Sequence, residues 1–365
     1  MSINSPVKVL PTRVYRVYKG GFLLDKFRGE KEPKDTNYPE DWICSTVRAL
    51  LADGSLSKDS ISKIKPVDGK ENIEELIELY PEDILGEGYI KQYGKSLNIL
   101  VKLLDSAIRL PLQCHPEKSF SRKYLNSGYG KAEAWFILET RKIRENPYIL
   151  LGFREKVSKR DILKLVEQDD SDALVSLMNK VEVKPYDTYF IAPGLPHAIG
   201  EGVFMVETQE PTDFTISVER KCGDIVSSDE KCTLRLGWDI ALDALDYTPY
   251  TIEEVKERFG TKKELTYSSN TGKIYSLNGG SYMKSCFRVL FLKDVKDIRL
   301  SFDSFASLVV VGGKGIITSQ DGEFPIERGE TYIIPAGFGE HRYIGEEPLE
   351  IIVSLPPQGV RYCGT

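Results

Sequence analysis

Leu112-Gln113-Cys114-His115-Pro116, followed by Gly130-Lys131-Ala132-Glu133-Ala134-Trp135, is the stretch that decides how this chain is read. Side chains alternate faces along a strand, so Gln113 and His115 are expected to point together, with Cys114 opposite. By the same alternation Lys131, Glu133 and Trp135 share a face. Pairing of these two strands across the intervening loop would bring Glu133 to His115. Further on, Ala192-Pro193-Gly194-Leu195-Pro196-His197 delivers a second imidazole on a strand-turn segment. Two imidazoles, one carboxylate and one amide oxygen form an N/O ligand set suited to zinc, with iron, manganese or cobalt also accommodated. Taken singly, each piece has an ordinary structural reading: Gln-x-His as polar residues near a barrel mouth, Gly-Lys-x-Glu as a solvated hairpin strand, Trp135 as core. Their combination points to one shared site, and so does the histidine count, because the chain has 3 histidines and this set uses two.

The remainder of the composition sets the frame. The chain has 365 residues, 41% of them hydrophobic and 28% charged, which is ordinary for a globular protein with a large core. A net charge of -6 argues against a general nucleic-acid binder, yet leaves room for a local cationic cluster that holds one anion. No apolar run is long enough to span a bilayer, and the first residues lack the apolar core of a signal peptide, so a cytoplasmic protein is expected. Cys44, Cys114, Cys222, Cys232, Cys286 and Cys363 are scattered and read as reduced thiols.

Along the chain the pattern runs β-rich, helical, β-rich. Segment 60–85 has helical spacing, 97–112 reads as buried strand, and 159–180 as a helical insertion. Segment 233–259 is helical again, with Thr251 as a cap and Glu254 three residues on. From Tyr267 short strands alternate with Gly-rich turns. Asp187-Thr-Tyr-Phe-Ile-Ala-Pro-Gly-Leu-Pro-His197 also parallels Glu330-Thr-Tyr-Ile-Ile-Pro-Ala-Gly-Phe-Gly-Glu-His341, as two copies of one small barrel would; chance likeness of two β-turn-β segments is the alternative. The strand expected to partner His341, around Ser307–Ile317, offers no His, Asp or Glu, so no metal is expected in the second copy.

With LQCHP at 112–116, GKAEAWFI at 130–137 and FIAPGLPHAIGEG at 190–202, the sequence resembles a class I mannose-6-phosphate isomerase of the short, two-cupin form. YKGGFLLDKFRG at 18–29, YPEDWICST at 38–46 and QEPTDFT at 209–215 extend the likeness over most of the chain. The resemblance implies a mainly β fold of two cupin (jelly-roll) β-barrels with helical insertions. The expected division is a metal-binding cupin at 1–215, a helical connector at 216–265 and a metal-free cupin at 266–365. It further implies one Zn2+ on Gln113, His115, Glu133 and His197, and interconversion of mannose 6-phosphate and fructose 6-phosphate or a related sugar phosphate. It assigns Lys131 the place of the family's active-site lysine, Lys118 that of the lysine after His-Pro-x, and Asp213 that of the aspartate before the catalytic arginine. At that arginine's own position this chain has Ser217, and Pro111 replaces the usual serine two residues before Gln113. The nearest cations in sequence are Arg220 and Lys221. Arg220 is an odd number of residues from Ser217, so it reaches the site only if a bulge intervenes. The alternatives are a non-catalytic sugar-binding or sensing cupin, favoured by Ser217, and an oxidative cupin, against which Gln113 argues.

Overall fold

The computed structural model describes residues 2–51, 55–57, 59–357 and 360–362, so Cys363 lies outside the described residues. The chain is mainly β, with strands gathered into sheets of twelve, six, five and two strands and helices inserted between them. Among the described residues no helix is long and apolar enough to cross a membrane. The five described cysteines are buried and unpaired.

Two antiparallel sheets enclose the residues singled out above. The six-stranded sheet runs in the order Thr188–Ile191, Glu133–Thr140, Val203–Gln209, Leu100–Asp105, Glu40–Cys44, Arg13–Val14. The five-stranded sheet runs Met178–Glu182, Tyr148–Phe153, His197–Ile199, Gln113–Cys114, Ile216–Ser217. Strands such as Leu100–Asp105 are buried at every residue, as continuous apolar runs covered on both faces are. The Glu133 strand therefore does not pair with the Gln113 strand, contrary to the sequence expectation. The two lie in different sheets, and their side chains meet across the space between them. The short Gln113–Cys114 strand is taken instead by His197–Ile199 on one side and Ile216–Ser217 on the other, with His197 and Ser217 both in register with Gln113.

The twelve-stranded sheet holds the strands from Lys262 onward, together with Val7–Val9, Lys63–Val67 and Lys70–Asn72. Val7–Val9 pairs with Thr331–Ile334, so the first strand of the chain is built into the sheet of its last third. Segment 60–85 is less helical than its spacing suggests: two strands precede the helices Ile73–Leu79 and Pro81–Leu85. Regular strand in 97–112 is confined to Leu100–Asp105. The insertion at 159–180 forms helices Lys159–Glu167 and Ser171–Ser176, then returns to strand at Met178. Thr251 caps Ile252–Phe259 in a complete capping box with Glu254.

The internal repeat has a structural counterpart. Strands Thr188–Ile191 and Thr331–Ile334 are each followed by a bend and a histidine that opens the next strand. In both copies the histidine Nδ1 lies 2.8 Å from the carbonyl two residues earlier, Leu195 for His197 and Gly339 for His341. The fates of the two rings differ. His341 Nε2 lies 3.0 Å from the Tyr343 hydroxyl, and the ring packs on Phe338, which makes it a packing histidine.

Candidate metal centre

His115, Glu133 and His197 each present a ligand atom, all within 4.8 Å of one another, and all three residues are buried. The tautomers follow from the outer hydrogen bonds. His115 Nδ1 donates to the Phe214 carbonyl at 2.9 Å and His197 Nδ1 donates to Leu195 at 2.8 Å. Each Nε2 lone pair is thereby turned toward the partner residues, the orientation a metal-ligating histidine takes when its other nitrogen is tied back. Burial lowers the pKa of both rings, that of His197 to about 3, so both are neutral and ligand-competent near pH 7.

Glu133 Oε1 stands 2.9 Å from His115 Nε2, yet this buried oxygen makes no hydrogen bond of acceptable geometry. With Nδ1 carrying the proton, no proton lies between them, and two acceptor atoms face each other. The Lys131 ammonium, 2.9 Å from Glu133 Oε1 and 3.2 Å from His115 Nε2, supplies positive charge between them, and the two acceptors together with His197 form a donor set that fits a divalent metal. Burial opposes ionisation of Glu133, but the Lys131 ammonium and the two imidazoles hold its carboxyl well below the usual range. The other oxygen, Oε2, accepts from Trp135 Nε1 at 3.0 Å. Gln113 Nε2 lies 3.4 Å from His197 Nε2. Exchange of the amide oxygen and nitrogen, which a half-turn of the group accomplishes, points Oε1 at the same centre. Lys131 Nζ is 2.9 Å from Glu133 Oε1 and 3.2 Å from His115 Nε2. The expected common face of Lys131, Glu133 and Trp135 is therefore observed. Segment 130–131 is held against the His115 loop: Lys131 N donates to the Pro116 carbonyl at 3.1 Å, and a Cβ on Gly130 would stand 2.7 Å from that same oxygen.

A cavity opens beside this cluster, lined by Gln113, Lys131 and Glu133 and also by Asp213 and Ser217. Two residues assigned to the site from sequence are not there. Arg220 is ion-paired with Asp169 and Asp229 and lies over the Trp238 ring, away from the cavity lining. No bulge brings it round: after Ser217 the chain continues with Val218 N donating to Leu112, and Glu219 turns in to bind Arg109. Lys118 is likewise absent from the lining; its Nζ lies 3.3 Å from Glu210 and 3.5 Å from the Cys286 sulfur.

The cavity instead holds charged residues that the sequence reading passed over, namely Arg16, Glu40, Lys102, Glu207 and Lys231. Lys102 and Glu207 are in register on neighbouring strands, 3.5 Å apart at their tips and both buried. Burial, then the charge of Glu133, pushes the Glu207 carboxyl up to about 8. A signal for this pair was present: one lysine within the apolar run Leu100-Val-Lys-Leu-Leu104, and one glutamate within Val203-Phe-Met-Val-Glu207.

Two buried imidazoles and a buried carboxylate, brought together from antiparallel sheets, form a candidate metal site in a mainly β protein. Comparison with known proteins carries the assignment further. The family model of the mannose-6-phosphate isomerase cupin domain matches residues 291–356. Mannose-6-phosphate isomerase ManA of Bacillus subtilis is 27% identical over 269 residues, which cover 72% of this chain and 76% of that protein. The mannose-6-phosphate isomerase of Streptococcus mutans is 28% identical over 213 residues, 57% of this chain and 59% of that one. Among solved structures, the Bacillus subtilis mannose 6-phosphate isomerase superposes with a TM-score of 0.73 at 22% identity, covering 96% of this chain and 99% of that one. A phosphomannose isomerase from Salmonella typhimurium gives 0.70 at 16%, covering 97% and 100%. The chain is thus similar to mannose-6-phosphate isomerases over most of its length, and to their cupin domain at residues 291–356.

Proposed function

We propose that this chain is a metal-dependent aldose–ketose isomerase interconverting mannose 6-phosphate and fructose 6-phosphate or a closely related sugar phosphate. The assignment as a sugar-phosphate isomerase is supported by the mannose-6-phosphate isomerases that align with most of the chain. The observation that carries the chemistry is the facing pair of acceptors, Glu133 Oε1 and His115 Nε2, with His197 and Gln113 beside them. Zn2+ is the cation we assign to these four residues, because a two-nitrogen, two-oxygen set with a single carboxylate suits it. When bound there, a divalent cation supplies Lewis-acid polarisation of substrate oxygens.

The reaction removes the proton on C2, passes through an enediol and returns a proton to C1. A C–H bond next to a carbonyl is too weak an acid to ionise without stabilisation of the oxygen charge that develops. Lys131 is buried with its ammonium at the cluster, where low dielectric strengthens its attraction for that charge. Burial opposes the charge on Lys102, but Glu207 at 3.5 Å and Glu40 at 3.8 Å outweigh it and raise its pKa, which keeps a cation in the cavity wall. Residues 1–215 form the metal-binding part in this reading, 216–265 a connector and 266–365 a metal-free cupin, with a cytoplasmic site of action and the short two-barrel class as its setting.

The rival reading, a sugar-binding cupin without turnover, rests on the neutral Ser217. Exchange of substrate hydrogen separates the two. Mannose 6-phosphate incubated with metal-loaded protein in deuterated water is followed by proton NMR. An isomerase incorporates solvent deuterium at C1 of the fructose 6-phosphate formed and, by the reverse reaction, at C2 of the mannose 6-phosphate, whereas a binding protein leaves the sugar unlabelled and unconverted.

A further inference from the structure

Ser217 leaves the expected guanidinium position empty of charge, and Arg220 does not fill it. Another guanidinium reaches the same cavity from the other end of the chain. Arg16 donates to Asp213 through both terminal nitrogens, at 3.0 Å and 2.9 Å, and its Nε stands 2.9 Å from Glu40. Its guanidinium lies over the Trp42 ring, 5.0 Å from the centroid. The pocket around it is built in layers: Glu40 accepts from Tyr18 and from Trp42 Nε1, each at 2.7 Å, and Asn37 pins the backbone of Arg16 on both sides. Gly20 lets this segment come close, since a Cβ there would stand 1.8 Å from the Asp105 carbonyl. Arg16 and Ser217 both line the cavity that also exposes Gln113, Lys131 and Glu133.

We infer that Arg16 is a second substrate-contacting cation of this site beside Lys131, standing in for the arginine that the resemblance places at position 217. The inference rests on the isomerase reading and adds a residue to it. A guanidinium carries five N–H donors in a fixed plane, and the two terminal nitrogens spend one each on Asp213. Donors therefore remain for sugar hydroxyls or for the charge of the enediolate, while Asp213, Glu40 and Trp42 fix the plane. Asp213, read from sequence as a substrate residue, acts here through Arg16 as a positioning residue. Burial opposes its ionisation, but Arg16 outweighs it and holds the carboxyl well below its ordinary range.

The test uses full-length, metal-loaded protein as wild type, Arg16→Met, and Arg16→Met combined with Ser217→Arg, each with metal content and thermal midpoint measured beside the kinetics on mannose 6-phosphate. Arg16→Met is expected to lower kcat/KM by about 30- to 1000-fold at unchanged metal content. The added Ser217→Arg is expected to recover at least tenfold of that loss, a recovery that repair of packing around Glu40 does not produce. An Arg16→Met protein as active as wild type overturns the inference alone. So does a loss that Ser217→Arg leaves unrecovered in a folded, metal-bound double variant. A metal-loaded wild type with no turnover overturns the isomerase reading itself, and the inference with it.

Discussion

Trp135 Nε1 donates to Glu133 Oε2 at 3.0 Å, and the two residues sit two apart on one strand with their side chains on the same face. The indole therefore orients the carboxylate, leaving Oε1 for the centre shared with His115 and His197. Groups of this kind typically govern metal affinity by about 10- to 100-fold. Trp135→Phe is predicted to weaken metal binding by that factor while the fold persists. Competition with a chromophoric chelator measures it; an unchanged dissociation constant would show that Glu133 needs no such support.

Lys131→Met is predicted to lower kcat by about 100- to 1000-fold, because it removes a buried positive charge at the reacting oxygens. The same variant keeps its metal, since the ammonium is not a ligand. Steady-state kinetics alongside elemental analysis checks both halves. Loss of metal with loss of rate would reassign Lys131 to maintenance of the centre.

Arg220→Ala is predicted to leave kcat/KM within about twofold of wild type. Its partners Asp169 and Asp229 are largely exposed, and exposed pairs contribute roughly 0.2–1 kcal/mol each. A modest fall in thermal midpoint is the expected consequence. A large fall in rate at intact stability would return Arg220 to the active site.

His341 supplies a pH prediction away from the metal. Burial lowers its pKa from 6.5 to about 4. Between those values the unfolded chain takes up a proton that the folded chain refuses, so acidification favours unfolding. Relative to His341→Gln, wild type should lose up to about 1.4 kcal/mol per pH unit as pH falls from 6.5 toward 4, with no difference in slope above neutrality. Urea midpoints of both proteins from pH 8 to pH 5 report this. Parallel curves throughout would place a protonated imidazole in the fold.

The cluster of His115, Glu133 and His197 was legible because its residues announce themselves chemically. With only three histidines in the chain, two near a Gln-x-His and a Pro-Gly-x-x-His pattern stand out, and the alternation rule put Lys131, Glu133 and Trp135 on one face. The sheet partnership was not legible. Glu133 meets His115 across two sheets, and single-strand periodicity says which way a side chain points but not which strand it faces. The same limit explains Arg16. It lies 197 residues from Asp213 in sequence, and no local pattern connects an N-terminal arginine to a downstream aspartate. Arg220 attracted attention only by nearness in sequence, whereas the turn after Ser217 sends it outward to Asp169 and Asp229. The repeat of 187–197 in 330–341 was visible as a pattern. That only its first histidine joins a cluster follows from the neighbours each strand meets, with Glu133 opposite one and Tyr343 beside the other.

The central claim is that the His115–Glu133–His197 cluster, with Gln113, holds the metal on which isomerisation depends. Fructose 6-phosphate formation from mannose 6-phosphate, followed in a coupled assay on chelator-stripped and Zn2+-reloaded protein, tests it most directly. Turnover that vanishes on stripping, returns on reloading and stays absent in a Glu133→Ala, His197→Ala double variant is the predicted result. Turnover undiminished in the stripped protein, or a reloaded wild type that holds its metal and converts no sugar, would contradict it.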